Sequence, residues 1–140
     1  MTQFEDRLIA WNRLRNENSD NSLKSALTNI NNWWQLLPID NPYLHWTDNE
    51  NWPDPWDILA DGIFCNLTKG LGIAYTLFLI ERPDIESINI VITDEGDNLV
   101  SVNDGDYVLN YCPGEILHKQ NMKSTVISTI DATIIKHKIR

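Results

Sequence analysis

Apolar positions recur at two periods along this chain, and the period changes once, near residue 85. In residues 3–15, Phe4, Leu8, Trp11 and Leu14 fall at helical spacing, which predicts an amphipathic helix. Residues 16–21 (NENSDN) form a polar break. Ser22 is placed to cap a second helix over 23–37, whose stripe is Leu23, Ala26, Leu27, Ile30, Trp34 and Leu37. Pro38 ends it, because the residue before a proline is pushed out of the helical region. Residues 38–53 are irregular, with prolines at 38, 42 and 53. Asp54-Pro55-Trp56-Asp57 then reads as a helix start: Asp54 can cap and Pro55 suits the first helical position. That short helix should stop at Gly62 in a left-handed turn. A longer one follows over 64–80. Gly70 and Gly72 each weaken it by about 1 kcal/mol against alanine, so it needs close packing against a sheet.

Beyond residue 85 the period is two. Ile88, Ile90 and Ile92 alternate within a strand predicted over 87–93. Gly96 marks a turn, 98–102 is a strand, and Asp104-Gly105 is a hairpin signal whose partner strand is 106–111. Pro113-Gly114 turns the chain into a short strand at 115–118. In residues 124–136 the spacing of Val126, Ile127, Ile130, Ile134 and Ile135 fits a helix, while the β-branched content favours a strand. The strand reading is preferred. Helices followed by a meander make an α+β domain, with N-terminal helices packed on one long helix plus an antiparallel sheet. The expected organisation is one domain over 1–140: a helical part at 1–37, a Trp/Pro-rich loop at 38–53, a core at 54–118 and a C-terminal segment at 119–140.

Composition narrows the function classes. The chain has 140 residues, enough for one core without staples. Its net charge of −9 repels nucleic-acid backbones, which argues against general DNA or RNA binding. The longest apolar stretch, near residues 70–80, is too short to span a bilayer. Glu5, Asp6 and Arg7 interrupt any leader at the N-terminus, so Cys65 and Cys112 read as free thiols in a reducing compartment. No phosphate-binding glycine loop and no zinc-ligand spacing is present, and no cofactor is expected.

Cys65 is the residue with most chemistry. It sits near the predicted start of the long helix, where unpaired amides and the helix dipole favour thiolate. Position alone nonetheless favours a small buried thiol over a nucleophile. Around it, Trp52-Pro53-x-Pro55-x-x-Ile58-Leu59-x-x-Gly62-x-x-Cys65 resembles the approach to the catalytic cysteine in transglutaminase-like (papain-like) proteins. The resemblance covers about residues 52–111. It implies a cysteine opening a long helix, followed by a three-stranded antiparallel sheet that carries histidine and then aspartate. Here Asn98 opens the second strand and Asn110 closes the third. An asparagine can orient a histidine, but its amide cannot take a proton from a thiol near neutral pH. Ile63-Phe64 stands where the family has glycine-aspartate. The implied reading is a degenerate transglutaminase-like fold. Trp52-Pro53-Asp54-Pro55-Trp56 and Leu109-Asn110-Tyr111 also resemble segments of small uncharacterised proteins of tailed bacteriophages.

A relocated base would rescue catalysis. The candidate set is then Cys65, Asn110 and His118, with His118 following the last meander strand; His45 and His137 lack any flanking motif. Cys112, two residues past Asn110, is expected on the same sheet face. All six tryptophans lie in the first 56 residues. Trp46, Trp52 and Trp56 could anchor a partner protein, or clamp their loop onto the helices. Asp94, Glu95, Asp97, Asp104 and Asp106 could hold a hard cation, though their spacing matches no EF-hand and turns favour Asp regardless. The leading expectation is a non-enzymatic phage structural or protein-interaction protein in the host cytoplasm or virion, with another protein as partner. A cysteine-dependent hydrolase or acyltransferase is the alternative, and an acidic nucleic-acid mimic the third.

Overall fold

The computed structural model describes residues 3–139. The first helix, α1 (Gln3–Glu17), and the second, α2 (Leu23–Gln35), pack on the helix α4 (Asn66–Ile80), with the short α3 (Pro55–Asp61) between them in sequence. Local chemistry sets their ends. The Ser22 hydroxyl accepts the Ser25 amide at the start of α2, and Asp54 accepts the Asp57 amide at the start of α3. Gly62 stops α3 with φ +67°. Helix α2 ends at Gln35 with Leu36 as its cap, two residues before the proline expected to end it.

Two tryptophan indoles reach one hydroxyl. Trp11 of α1 and Trp34 of α2 both donate to Thr76 Oγ1 of α4, at 2.8 and 3.1 Å, and Thr76 donates to the Gly72 carbonyl. Each tryptophan is thus fully buried with its polar atom satisfied. The glycines of α4 are explained by what faces them. A β-carbon on Gly72 would overlap the Trp34 ring, and one on Gly70 would press on the Asn98 carbonyl and the Asn110 amide.

The strands β1 (Ile88–Thr93), β2 (Asn98–Val102), β3 (Tyr107–Cys112), β4 (Glu115–Leu117) and β5 (Val126–Asp131) form one antiparallel sheet in the order β4-β3-β2-β1-β5. Ile88, Ile90, Ile92, Val100, Val102 and Leu109 face the helices and join the main core. Val91, Leu99 and Val108 form a smaller cluster with Leu117 and Met122 on the other face. Residues 124–136 divide: β5 realises the strand expectation, then Asp131 caps a 3-10 turn over Ala132–Lys138. The helical spacing and the β-branched content therefore describe two consecutive elements rather than one. Trp52 is buried, and its indole donates to the His45 carbonyl at 3.0 Å. Trp56 meets the Trp11 ring edge-on. Trp52 thus anchors the 38–53 loop in the core, while Trp56, within α3, joins that helix to α1.

Candidate functional site

The site is built where α4 begins. Cys65 is the residue before its first turn, with extended backbone (φ −84°, ψ 174°), so the thiol faces the unpaired amides of that turn. Burial pushes the Cys65 thiol up. Hydrogen bonding from the Thr68 hydroxyl (3.5 Å) and amide, and from the Tyr43 and Leu67 amides, outweighs this and holds the thiol below its ordinary value. The side chain is also closed off, with 1% of its surface exposed. It lines a cavity of about 380 Å³, whose other walls include Leu44, His45, Trp46, Asn98 and Ile127.

Asn98 stands at the start of β2, opposite Ile92, and its side-chain amide donates to the Gly96 carbonyl at 3.3 Å. Asn110 lies two residues before the end of β3 in the left-handed region (φ +67°), where a β-bulge shifts the register. That twist turns its side chain toward α4. Its NH2 group donates to the Asn98 carbonyl (2.7 Å), the Asn66 carbonyl (3.0 Å) and Asn66 Oδ1 (2.9 Å). Two of these acceptors are main-chain carbonyls, which only accept, so the orientation of the amide is fixed. Asn110 Oδ1 accepts from Gln35 Nε2, and its backbone amide donates to Asn31 Oδ1. The amide group is fully occupied in joining α2, α4, β2 and β3. The bulge also breaks the alternation expected to place Cys112 beside Asn110: the Cys112 thiol instead donates to Glu115, at 3.2 Å.

This arrangement, a cysteine before a long helix with β2 and β3 delivering two asparagines toward it, can be compared with solved structures. Three structures of Legionella pneumophila LapG superpose on the chain. The calcium-bound form has a TM-score of 0.75 and 15% identity, over 94% of this chain and 78% of that one. An EGTA-treated form gives 0.75 and 15%, over 94% and 76%. A third gives 0.76 and 14%, over 94% and 78%. The fold is transglutaminase-like. At this identity the likeness concerns fold alone. No protein-family model matches the sequence, and no curated protein is similar to it.

In this transglutaminase-like frame the sequence-derived candidates separate. Cys65, Asn98 and Asn110 come together. His118 does not join them: it caps the 3-10 turn Lys119–Asn121 and lies 4.0 Å from Asp106 in the β2–β3 turn. The Cys65 cavity is at the β1–β2 turn, and successive turns of a meander lie at opposite ends of the sheet. The imidazole on the cavity is that of His45, which lacked any flanking motif. His45 Nδ1 accepts the Thr47 amide (3.2 Å) and lies 2.6 Å from the Thr47 hydroxyl, and the ring stacks on Trp46. With Nδ1 accepting, a neutral ring carries its proton on Nε2 and offers a donor there, not a base.

The acidic turn residues divide in the same way. Asp94 and Glu95 bond to Thr125 and Ser124 at one end of the sheet, while Asp104 and Asp106 lie near Lys119 and His118 at the other. Among the described residues no three His, Cys, Asp or Glu side chains gather to hold a metal ion. No helix among them is long and apolar enough to cross a membrane. Trp46 is half-buried on the cavity wall, so of the three loop tryptophans it is the one placed at the site.

Proposed function

We propose that this chain is a non-catalytic transglutaminase-like domain that works by binding another protein. One observation carries the reading: the Asn110 amide is wholly engaged in structural hydrogen bonds, while Asn98 stands where the fold's base would be. Neither residue can accept a proton from Cys65, and the engaged Asn110 amide is not free to orient a group that could. Support for protein contact comes from an exposed apolar group beside the site: Leu36, Ile39, Tyr43 and Ile63. The irregular segments around residues 39–43 and 63–64 are tied together, since Tyr43 donates to the Ile63 carbonyl and the Asp40 amide to the Phe64 carbonyl. The resemblance of residues 52–56 and 109–111 to tailed-phage proteins extends the proposal to a phage structural or host-directed role, in host cytoplasm or virion.

The test compares wild type with Cys65→Ala on fluorogenic peptide and acyl-amide substrates. The expected outcome is no cysteine-dependent turnover. Turnover abolished by Cys65→Ala would overturn the reading. It would establish the second one, a cysteine hydrolase or acyltransferase, which the lowered thiol favours.

A further inference from the structure

The two edges of the sheet are unlike. β4 has three residues and is bounded by Pro113-Gly114 and by Lys119, the devices by which proteins blunt an edge. β5 has six residues, VISTID, with no proline, glycine, lysine or arginine. Its inner edge pairs with β1, and among the described residues no other backbone segment bonds to its outer edge. Val126 is 46% exposed and Ile127 55%. The register shifts between Ile92, which faces Ser128, and Thr93, which faces Val126, so Ile127 is the unmatched bulge residue. That bulge sets Ile127 on the wall of the Cys65 cavity. An added strand would therefore run past the cavity mouth.

Charge decides what fits. The first end of the edge carries Asp94 and Glu95, fixed by the Thr125 amide and the Ser124 hydroxyl, and the second end carries Asp131. Lys123 lies on the opposite sheet face among Glu95, Asp97 and Glu115, and Lys136 sits over the Phe78 ring. A second copy pairing antiparallel would set Asp94 and Glu95 against Asp131. Pairing in parallel would set each acidic end against itself. Both oppose like charges between chains of net charge −9. We infer that β5 receives an extended segment of a partner protein, with lysine or arginine flanking the pairing residues and an apolar side chain entering the Cys65 cavity. Main-chain bonds to the edge would give affinity, and the cavity would give specificity. The inference deepens the binding role proposed above and rests on it for the absence of turnover.

The test uses a random dodecapeptide display library panned on the wild-type chain. Recovered peptides are then titrated by fluorescence anisotropy at low and high salt. Expected are net-basic peptides of alternating apolar pattern, bound more weakly at high salt. Ile127→Lys and Val126→Lys should weaken them at least about tenfold, while Ile9→Lys, which adds the same charge at an exposed position of α1, leaves affinity unchanged. Circular dichroism checks that the variants fold. The inference is overturned by recovery of no peptide, by acidic peptides, by affinity that survives both β5 variants, or by self-association of wild type that Ile127→Lys abolishes. Loss with Leu36→Lys alone would also overturn it, yet leave a non-catalytic binding protein. Cys65-dependent cleavage of a peptide that still needs β5 would instead sink the non-catalytic reading and keep the edge.

Discussion

The Asn110 side chain behaves as a donor that three oxygens require. Asn110→Asp keeps the shape and removes the donor, leaving the Asn66 and Asn98 carbonyls and Asn66 Oδ1 facing a carboxylate. We expect a loss of about 2–4 kcal/mol in urea unfolding at neutral pH. The surrounding oxygens raise the introduced carboxyl's folded value above its unfolded one. Stability is therefore retained below the unfolded value, near 3.9, and lost as pH rises through the folded value. Unfolding at pH 4 and pH 7 checks the sign. Cys65 runs the other way, because its folded value lies below the 9.0 of a free thiol. Wild type should gain stability over Cys65→Ala as pH rises through the folded value toward 9, and lose that gain as pH falls. In a Cys112→Ser background, native Cys65 should be alkylated at least about 100-fold more slowly than the unfolded chain, since its 1% exposure requires an opening event first. Native labelling at the unfolded rate would show the thiol to be open.

Among the elements, α4 is the one whose sequence looks worst and whose packing is closest. Its glycines lower helix propensity, but they let the Trp34 ring and the Asn98 carbonyl approach the helix backbone. Gly72→Ala should therefore destabilise by about 1–3 kcal/mol, although alanine is the better helix former, because a buried ring must move. The midpoint of thermal or urea unfolding measures it. The periodicities of α1, α2 and the meander strands were legible, because each has a one-sided apolar pattern and a turn residue with a definite conformational duty: Ser22, Asp54, Gly62, Gly105. Residues 124–136 were legible only in part: the β-branched content pointed to β5, but a bulged strand and a 3-10 turn in succession mimic a helical repeat and hid the second element. The imidazole that lines the Cys65 cavity was not legible either. His45 reaches the cavity from an irregular loop, and the loop's path is set by Trp52 packing rather than by any local pattern. Asn110 could be found through resemblance, but its inward turn depends on a positive φ that non-glycine residues seldom adopt.

For the whole molecule, the excess of carboxylates sets the response to solution conditions. With a net charge of −9 and exposed acids at both ends of the sheet, self-repulsion opposes the compact state. Raising sodium chloride from 20 to about 300 mM, which shortens the screening length to several ångströms, should raise the unfolding temperature. A fall would mean that attractive pairs such as Arg82–Asp84 outweigh the repulsion. That arginine also donates to the Asn18 and Asn21 carbonyls, so it ties the α1–α2 corner to the link between α4 and β1.

The bulge at Asn110 limits what single substitutions can do. Four elements meet on one side chain, and its hydrogen bonds use acceptors that belong to neighbours. An acidic residue at this position is not reached by one substitution without a loss of stability, because Asn66, whose two oxygens face the amide, would have to change with it. Nor would histidine at position 98 alone meet any group free to orient it. Positions 98 and 110 are thus coupled: neither substitution alone would set an imidazole beside a free orienting group near Cys65.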